Sequence, residues 1–131
     1  MKNNFIIFLP AVCWTVISYI LLTIPGSDLP TSHFFEIVYF DKWVHIGMFS
    51  LLVVLWCIPF FKHQMKQKKA FIAVFLLTIM YGITMEFVQK YFTADRSFDL
   101  TDIAADIIGA ICGLGFVRIL KRKKLLKNKP L

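Results

Sequence analysis

The feature that most constrains this chain is a set of four apolar stretches, at residues 5–24, 43–61, 70–89 and 101–120, separated by short polar segments. About 20 helical residues, at ~1.5 Å rise each, cover the roughly 30 Å of a bilayer's hydrocarbon core. In lipid every backbone polar group must be satisfied internally, and a helix does this within a single segment. The pattern therefore predicts an all-α protein, an integral membrane four-helix bundle.

The composition excludes the main alternatives. The chain has 131 residues, is 58% hydrophobic, contains 14 phenylalanines and 3 tryptophans, and has a mean hydropathy of +0.68. A body this small hides a smaller fraction of its surface than a large domain, so it cannot bury this much apolar bulk away from water. This excludes disorder and an ordinary soluble domain. We expect one membrane domain over residues 1–131, with the lipid bilayer as its solvent.

The positive charges are divided unevenly between the two sides that four alternating spans create. Twelve of the 15 Lys and Arg side chains share a side with both termini, whereas the other three and all 8 acidic side chains lie on the opposite side. By the positive-inside rule, the N and C termini and the segment 62–69 are cytoplasmic. The basic tail, residues 121–131, is then expected to meet anionic lipids rather than nucleic acid.

The three cysteines, Cys13, Cys57 and Cys112, all lie within predicted spans. Their number is odd and no CxxC pair is present, so neither a disulfide framework nor a zinc site is predicted. We expect no metal site and no cofactor. The sequence leaves the oligomeric state open.

Small residues recur every fourth position along the last span, at Ala105, Gly109 and Gly113. This spacing lets helix backbones approach closely in membranes. Asp102 and Asp106 continue the same helical face. These carboxylates are therefore expected to point into the bundle rather than at lipid.

Polar side chains concentrate at one level of the predicted bundle. Spans two and four start on the outer side and span three ends there, which places their polar residues within about 8 Å of the outer membrane edge. Buried carboxylates at this depth need partners or water, because a charge in hydrocarbon is costly. The predicted polar, ligand-binding site consists of Asp41, Lys42, His45, Glu86, Gln89, Arg96, Asp99, Asp102 and Asp106.

The motifs have a fixed order along the chain: Pro25-Gly26 and Leu29-Pro30, then Asp41-Lys42-x-x-His45, then Glu86-x-x-Gln89, Arg96, and Asp99-x-x-Asp102-x-x-x-Asp106-x-x-Gly109-x-x-x-Gly113. This ordered set resembles the VanZ-like membrane proteins over nearly the whole chain. The resemblance implies a multi-pass protein of the bacterial cytoplasmic membrane, whose founding member is associated with low-level teicoplanin resistance. It implies no known reaction. Asp106 departs from the pattern, because the family usually has Asn there.

Several functions are compatible with these residues. Binding of an outer-leaflet headgroup or an amphiphilic antibiotic would use Arg96 for a phosphate or carboxylate. An enzyme acting on a lipid-linked headgroup would use Glu86 or Asp102 as general acid or base, with His45 as partner. A purely structural cluster would lock the helices together, with Asp41 and Asp102 as helix caps. Transport is disfavoured, because the acidic side chains lie near the outer edge of the membrane, whereas transporters usually bind their substrate near the membrane midplane. We expect binding, with catalytic residues unassigned.

Overall fold

The computed structural model describes residues 4–28, 40–62 and 67–127. The four α-helices in these ranges are α1 (Leu9–Leu22), α2 (Phe40–Cys57), α3 (Gln67–Phe92) and α4 (Leu100–Lys127). Short 3₁₀ helices at Asn4–Phe8, Gly26–Asp28 and Ile58–Lys62 precede α1, follow α1 and extend α2. The described ranges contain no β-strand. The Leu29-Pro30 motif and the last four residues of the basic tail lie outside them.

All four helical segments are long and apolar enough to cross a membrane, over Phe5–Leu22, Phe40–Phe61, Gln67–Phe92 and Leu100–Lys123. This confirms the prediction of an all-α membrane bundle. The boundaries differ from those predicted, since α2 begins at Phe40 rather than at residue 43, and α4 continues to Lys127 rather than ending at residue 120. Lysine and arginine are good helix formers and favour the negative end of the helix dipole, which explains why much of the basic tail is helical.

Successive helices run in opposite directions, so the two ends of the bundle have different compositions. The polar end gathers the end of α1, the start of α2, the end of α3, the connection 93–99 and the start of α4, which are joined by side-chain contacts. The basic end contains the 3₁₀ helix Ile58–Lys62, the start of α3 and the last turns of α4.

Helices α2 and α4 form the most extensively packed pair. A Cβ atom on Gly109 would meet the backbone of Ile46, and one on Gly113 would meet the backbone carbonyl of Ser50. Ala105 is buried on the same stretch of α4. Small residues therefore allow the two backbones to approach closely, as small-xxx-small spacing does in other membrane helix pairs.

The apolar core has two parts. Towards the basic end, Val53, Cys57, Phe71 and Val117 belong to one cluster of buried side chains. Nearer the polar end, a second cluster contains Leu22, Met48, Phe49 and Met85. Helix α1 buries Ala11, Ser18 and Leu22, and its segment has the smallest buried share of the four. The bundle is therefore a core of α2, α3 and α4 with α1 packed on its side.

Candidate functional site

Lys42, in the first turn of α2, is the centre of an ion-pair network at the polar end. Its ammonium group lies 3.0 Å from the carboxylate of Asp41 and 2.8 Å from that of Asp99, and it also pairs with Asp102. The side chains of Lys42 and Asp102 are only 16% and 10% exposed. The network joins α2, the connection 93–99 and α4 through Lys42 and Asp102, which are largely shielded from solvent, and through the more exposed Asp99.

Asp99 also caps α4. Its Oδ1 accepts hydrogen bonds from the backbone N–H of Thr101 at 2.8 Å and from the Thr101 hydroxyl at 2.7 Å, while its Oδ2 faces Lys42. The hydrogen bond from Lys42, followed by those from Thr101, lowers the pKa of Asp99 from the ordinary 3.8 to about 2. The side-chain cap of α4 is thus Asp99, whereas the structural hypothesis had assigned capping to Asp102.

A histidine–aspartate pair lies deeper in the bundle. Nδ1 of His45 is 2.8 Å from Oδ1 of Asp106, and the two side chains are 7% and 3% exposed. The ring of Phe49, one turn further along α2, is parallel to the His45 ring with centroids 6.3 Å apart. The pair is therefore shielded from water by an aromatic side chain on the side facing the membrane interior.

Gly82 of α3 leaves the space that Asp106 occupies. A Cβ atom at residue 82 would lie 2.6 Å from Oδ2 of Asp106 and 3.0 Å from the ring of Phe49. Gly82 was not among the residues predicted from the sequence. The available signal was a glycine in the middle of an apolar span, which marks a place where another group comes close to the backbone.

Glu86 is the most deeply buried acid of the site, at 1% exposure. Its Oε2 accepts a hydrogen bond from the backbone N–H of Asp99 at 2.9 Å. Within the ranges that the structure describes, the ion pairs formed by Lys42 and His45 do not include Glu86. Glu86 is therefore a buried carboxyl group held by a neutral donor.

Among the described residues, Gln89 and Arg96 form side-chain hydrogen bonds with the end of α1 and not with the buried acids. The amide nitrogen of Gln89 donates to the carbonyl of Leu22 at 2.9 Å, and Nε of Arg96 donates to the carbonyl of Ile24 at 3.4 Å. Carbonyl groups at a helix C-terminus have no partner within the helix. These two side chains satisfy them and attach the end of α1 to the rest of the polar end.

Among the described residues, no group of three or more His, Cys, Asp or Glu side chains is arranged to hold a metal ion. Cys13, Cys57 and Cys112 are free thiols.

The fold and the site together define a class: a small multi-pass membrane protein with a network of charged side chains at one end of the bundle. The sequence matches the family model described as VanZ/LLP1 over residues 4–121. The chain therefore belongs to the VanZ/LLP1 family, as the order of its motifs indicated. No curated protein and no solved structure matches the sequence.

Proposed function

We propose that the protein binds the polar headgroup of an amphiphile at the polar end of the bundle. The observation that carries the proposal is an excess of carboxyl groups over cations. Among the described residues, the ion pairs and the Glu86 hydrogen bond bring together five acids, Asp41, Glu86, Asp99, Asp102 and Asp106, with only Lys42 and His45 as their cationic partners.

The burial of these acids indicates which chemistry they would recognise. Glu86, Asp102 and Asp106 are 1%, 7% and 2% exposed. Ionisable groups inside a membrane protein are costly and are kept mainly where function requires them. Carboxyl oxygens accept hydrogen bonds, so a headgroup with an amine, or with several hydroxyl or amide donors, complements them best.

The network is accessible from its rim. The side chains of Asp41 and Asp99 are 59% and 41% exposed, whereas Asp102 and His45 lie behind them. A headgroup would therefore meet Asp41 and Asp99 first. Arg96 lies in the same connection and, among the described residues, hydrogen-bonds through Nε to a backbone carbonyl. Its terminal nitrogens would then be the groups that bind a phosphate on the same ligand.

The charge distribution supports an outward-facing site. The described part of the basic end carries the side chains of Lys68, Lys69, Arg118, Arg122 and Lys123 on its exposed surface. By the positive-inside rule this end is cytoplasmic and meets anionic lipids. The ligand would then belong to the outer leaflet of the bacterial cytoplasmic membrane, and family membership supports a role in lowering susceptibility to teicoplanin-type glycopeptides.

The proposal is tested by calorimetric titration of the purified protein with three probes: teicoplanin, short-chain phosphatidylethanolamine and short-chain phosphatidylglycerol. We expect the amine-bearing probes to bind, and Glu86→Gln and Asp102→Asn to weaken that binding at least tenfold. Asp95→Asn is the matched control, because Asp95 is an exposed acid in the same connection. Equal affinities in all three variants, or no binding of any probe to the parent protein, would contradict the proposal.

Catalysis is a second candidate function, favoured by the buried His45–Asp106 pair. A carboxylate that holds one ring nitrogen of a histidine prepares the other nitrogen to act as a general base. Asp106→Asn retains an oxygen that can accept the hydrogen bond but removes the charge. Release of headgroup from the two phospholipids by the parent, and its loss in Asp106→Asn, would support catalysis. No release, with or without Mg²⁺, Mn²⁺ or Zn²⁺, would count against it.

A further inference from the structure

A cleft of about 210 Å³ lies between α1, α2 and α3, at the middle of the spans. Its walls include Thr15 of α1, Trp56 of α2, and Leu77, Thr78 and Tyr81 of α3, together with two aliphatic side chains. Leu77 is 63% exposed, so it stands at the mouth and the cleft opens sideways. In a bilayer this opening faces the hydrocarbon chains of the surrounding lipids.

Three of the four polar side chains in the walls, those of Thr15, Trp56 and Tyr81, have hydrogen-bond partners. The indole N–H of Trp56 donates to Oγ1 of Thr15 at 3.1 Å, and that hydroxyl donates to the carbonyl of Ala11 at 2.8 Å. The hydroxyl of Tyr81 lies 3.1 Å from Oγ of Ser18. Because a trapped water needs two to four polar partners, the cleft is better suited to an apolar occupant.

We propose that this cleft binds one hydrocarbon chain of a membrane lipid. Thr78 is near the middle of α3, so the cleft is at the depth of acyl chains rather than of headgroups. An apolar cavity of about 150 Å³ holds a molecule the size of benzene, and this cleft is larger and open at one side. Its apolar walls and its mouth among the lipids fit a chain segment better than any polar ligand.

The cleft leads toward the polar end. Tyr81 is five residues from Glu86 along α3, or about 7.5 Å by the helical rise. The Tyr81 ring lies 5.9 Å from that of Phe49, which in turn stacks on His45. A lipid with its chain in the cleft would therefore present its headgroup to the acids. This last step rests on the proposed function, whereas binding of the chain does not.

The test uses phosphatidylglycerol that carries a diazirine at the middle of one chain, mixed into liposomes containing the full-length protein. After photolysis, peptide mass mapping locates the adducts. We expect Thr15, Trp56 and Thr78 to be labelled at least twice as strongly as Leu76, which is 53% exposed but does not line the cleft. Labelling that follows lipid exposure alone would overturn the inference.

Leu77→Trp and Leu76→Trp provide matched variants, since both add the same bulk at neighbouring positions that are exposed to lipid. Leu77→Trp obstructs the mouth and is expected to reduce labelling of the walls at least threefold, whereas Leu76→Trp leaves it unchanged. Equal wall labelling in the two variants would overturn the inference.

Measuring wall labelling and headgroup binding on the same protein separates this inference from the proposed function. Preferential labelling of the walls in a protein that binds none of the headgroup probes would retain the chain site and contradict the headgroup site. If a headgroup probe binds but labelling follows lipid exposure alone, the headgroup site is supported and the chain site is contradicted. Glu86→Gln is expected to lose headgroup affinity and to keep the wall labelling.

Discussion

The two ends of the bundle differ in where their charged side chains lie. At the polar end, Lys42 and His45 pair with acids inside the protein. At the basic end, the interior contains an apolar cluster that includes Phe71 and Val117, while cations such as Arg118 lie on the surface. All ion pairs found within the described ranges belong to the polar end.

The difference indicates that these helices can pack against one another without ion pairs, at least among the residues that the structure describes. The same α2, α3 and α4 pack at the basic end through apolar side chains. Replacing a buried ion pair by well-packed apolar residues is often neutral or stabilising, although removing one partner alone is strongly destabilising. This contrast supports the proposed headgroup site over a purely structural role for the charges at the polar end.

The largest effect is expected from Lys42→Met. The substitution leaves Asp41, Asp99 and Asp102 without their shared cation, and breaking a buried pair in this way costs about 3 kcal/mol or more. Arg118→Met, at the exposed basic end, is expected to stay within about 0.5 kcal/mol. Thermal unfolding in one detergent measures both, and equal destabilisation would remove the contrast between the two ends.

Within α4, we expect Gly109→Ala to destabilise the protein and Gly115→Ala not to. The added methyl group would meet the backbone of Ile46, and overpacking of this kind costs about 1 to 3 kcal/mol. Gly115 lies on the same helix, nearer the basic end, and a Cβ there meets nothing within 4 Å. Gly115→Ala is therefore expected to be neutral or slightly stabilising. If Gly109→Ala unfolds at the temperature of the parent, α2 and α4 are not in close contact.

The pH dependence of stability is expected to come partly from Asp99. Its pKa is lowered from 3.8 to about 2 in the folded protein, so the folded state binds fewer protons than the unfolded state in this window. The stabilisation is complete above about pH 4 and is lost as the pH falls towards 2. Between these values the Tm should fall more steeply in the parent than in Asp99→Asn. Parallel pH profiles would show that Lys42 does not hold the ionised carboxylate.

The smallest effect is expected from Arg96→Gln. Nε of Arg96 makes one long hydrogen bond, 3.4 Å, to the carbonyl of Ile24, and a single bond of this kind contributes about 0.5 kcal/mol. A loss as large as that in Lys42→Met would place Arg96 inside the charged network instead. The same unfolding series decides between the two.

Hydropathy and helical spacing were sufficient for much of the fold. The four spans followed from the lengths of the apolar runs, since only a helix satisfies the backbone of a single segment in lipid. The inward direction of Asp102 and Asp106 followed from their spacing with Gly109. The cap of α4 did not follow in the same way, because the structural hypothesis placed capping at Asp102, whereas the side chain that caps the helix is that of Asp99.

The partners of individual side chains did not follow from spacing. Gln89 and Arg96 contact the end of α1, and that contact depends on where α1 packs against α3. The sequence of α1 is almost entirely apolar apart from Thr15 and Ser18, and it does not specify which groups of α3 meet the end of the helix. The role of Gly82 depends on Asp106 of a different helix, and the lateral cleft depends on a gap between three helices. These features arise from tertiary packing alone.

The contact between Asp99 and Glu86 has a consequence for sequence variation. Glu86 accepts its hydrogen bond from the backbone N–H of residue 99, whereas Lys42 and Thr101 contact the Asp99 side chain. Any amino acid except proline supplies a backbone N–H. A chain that lost the carboxylate at position 99 would thus lose the cap of α4 and one ion pair, yet it would still hold the acid at position 86 in place.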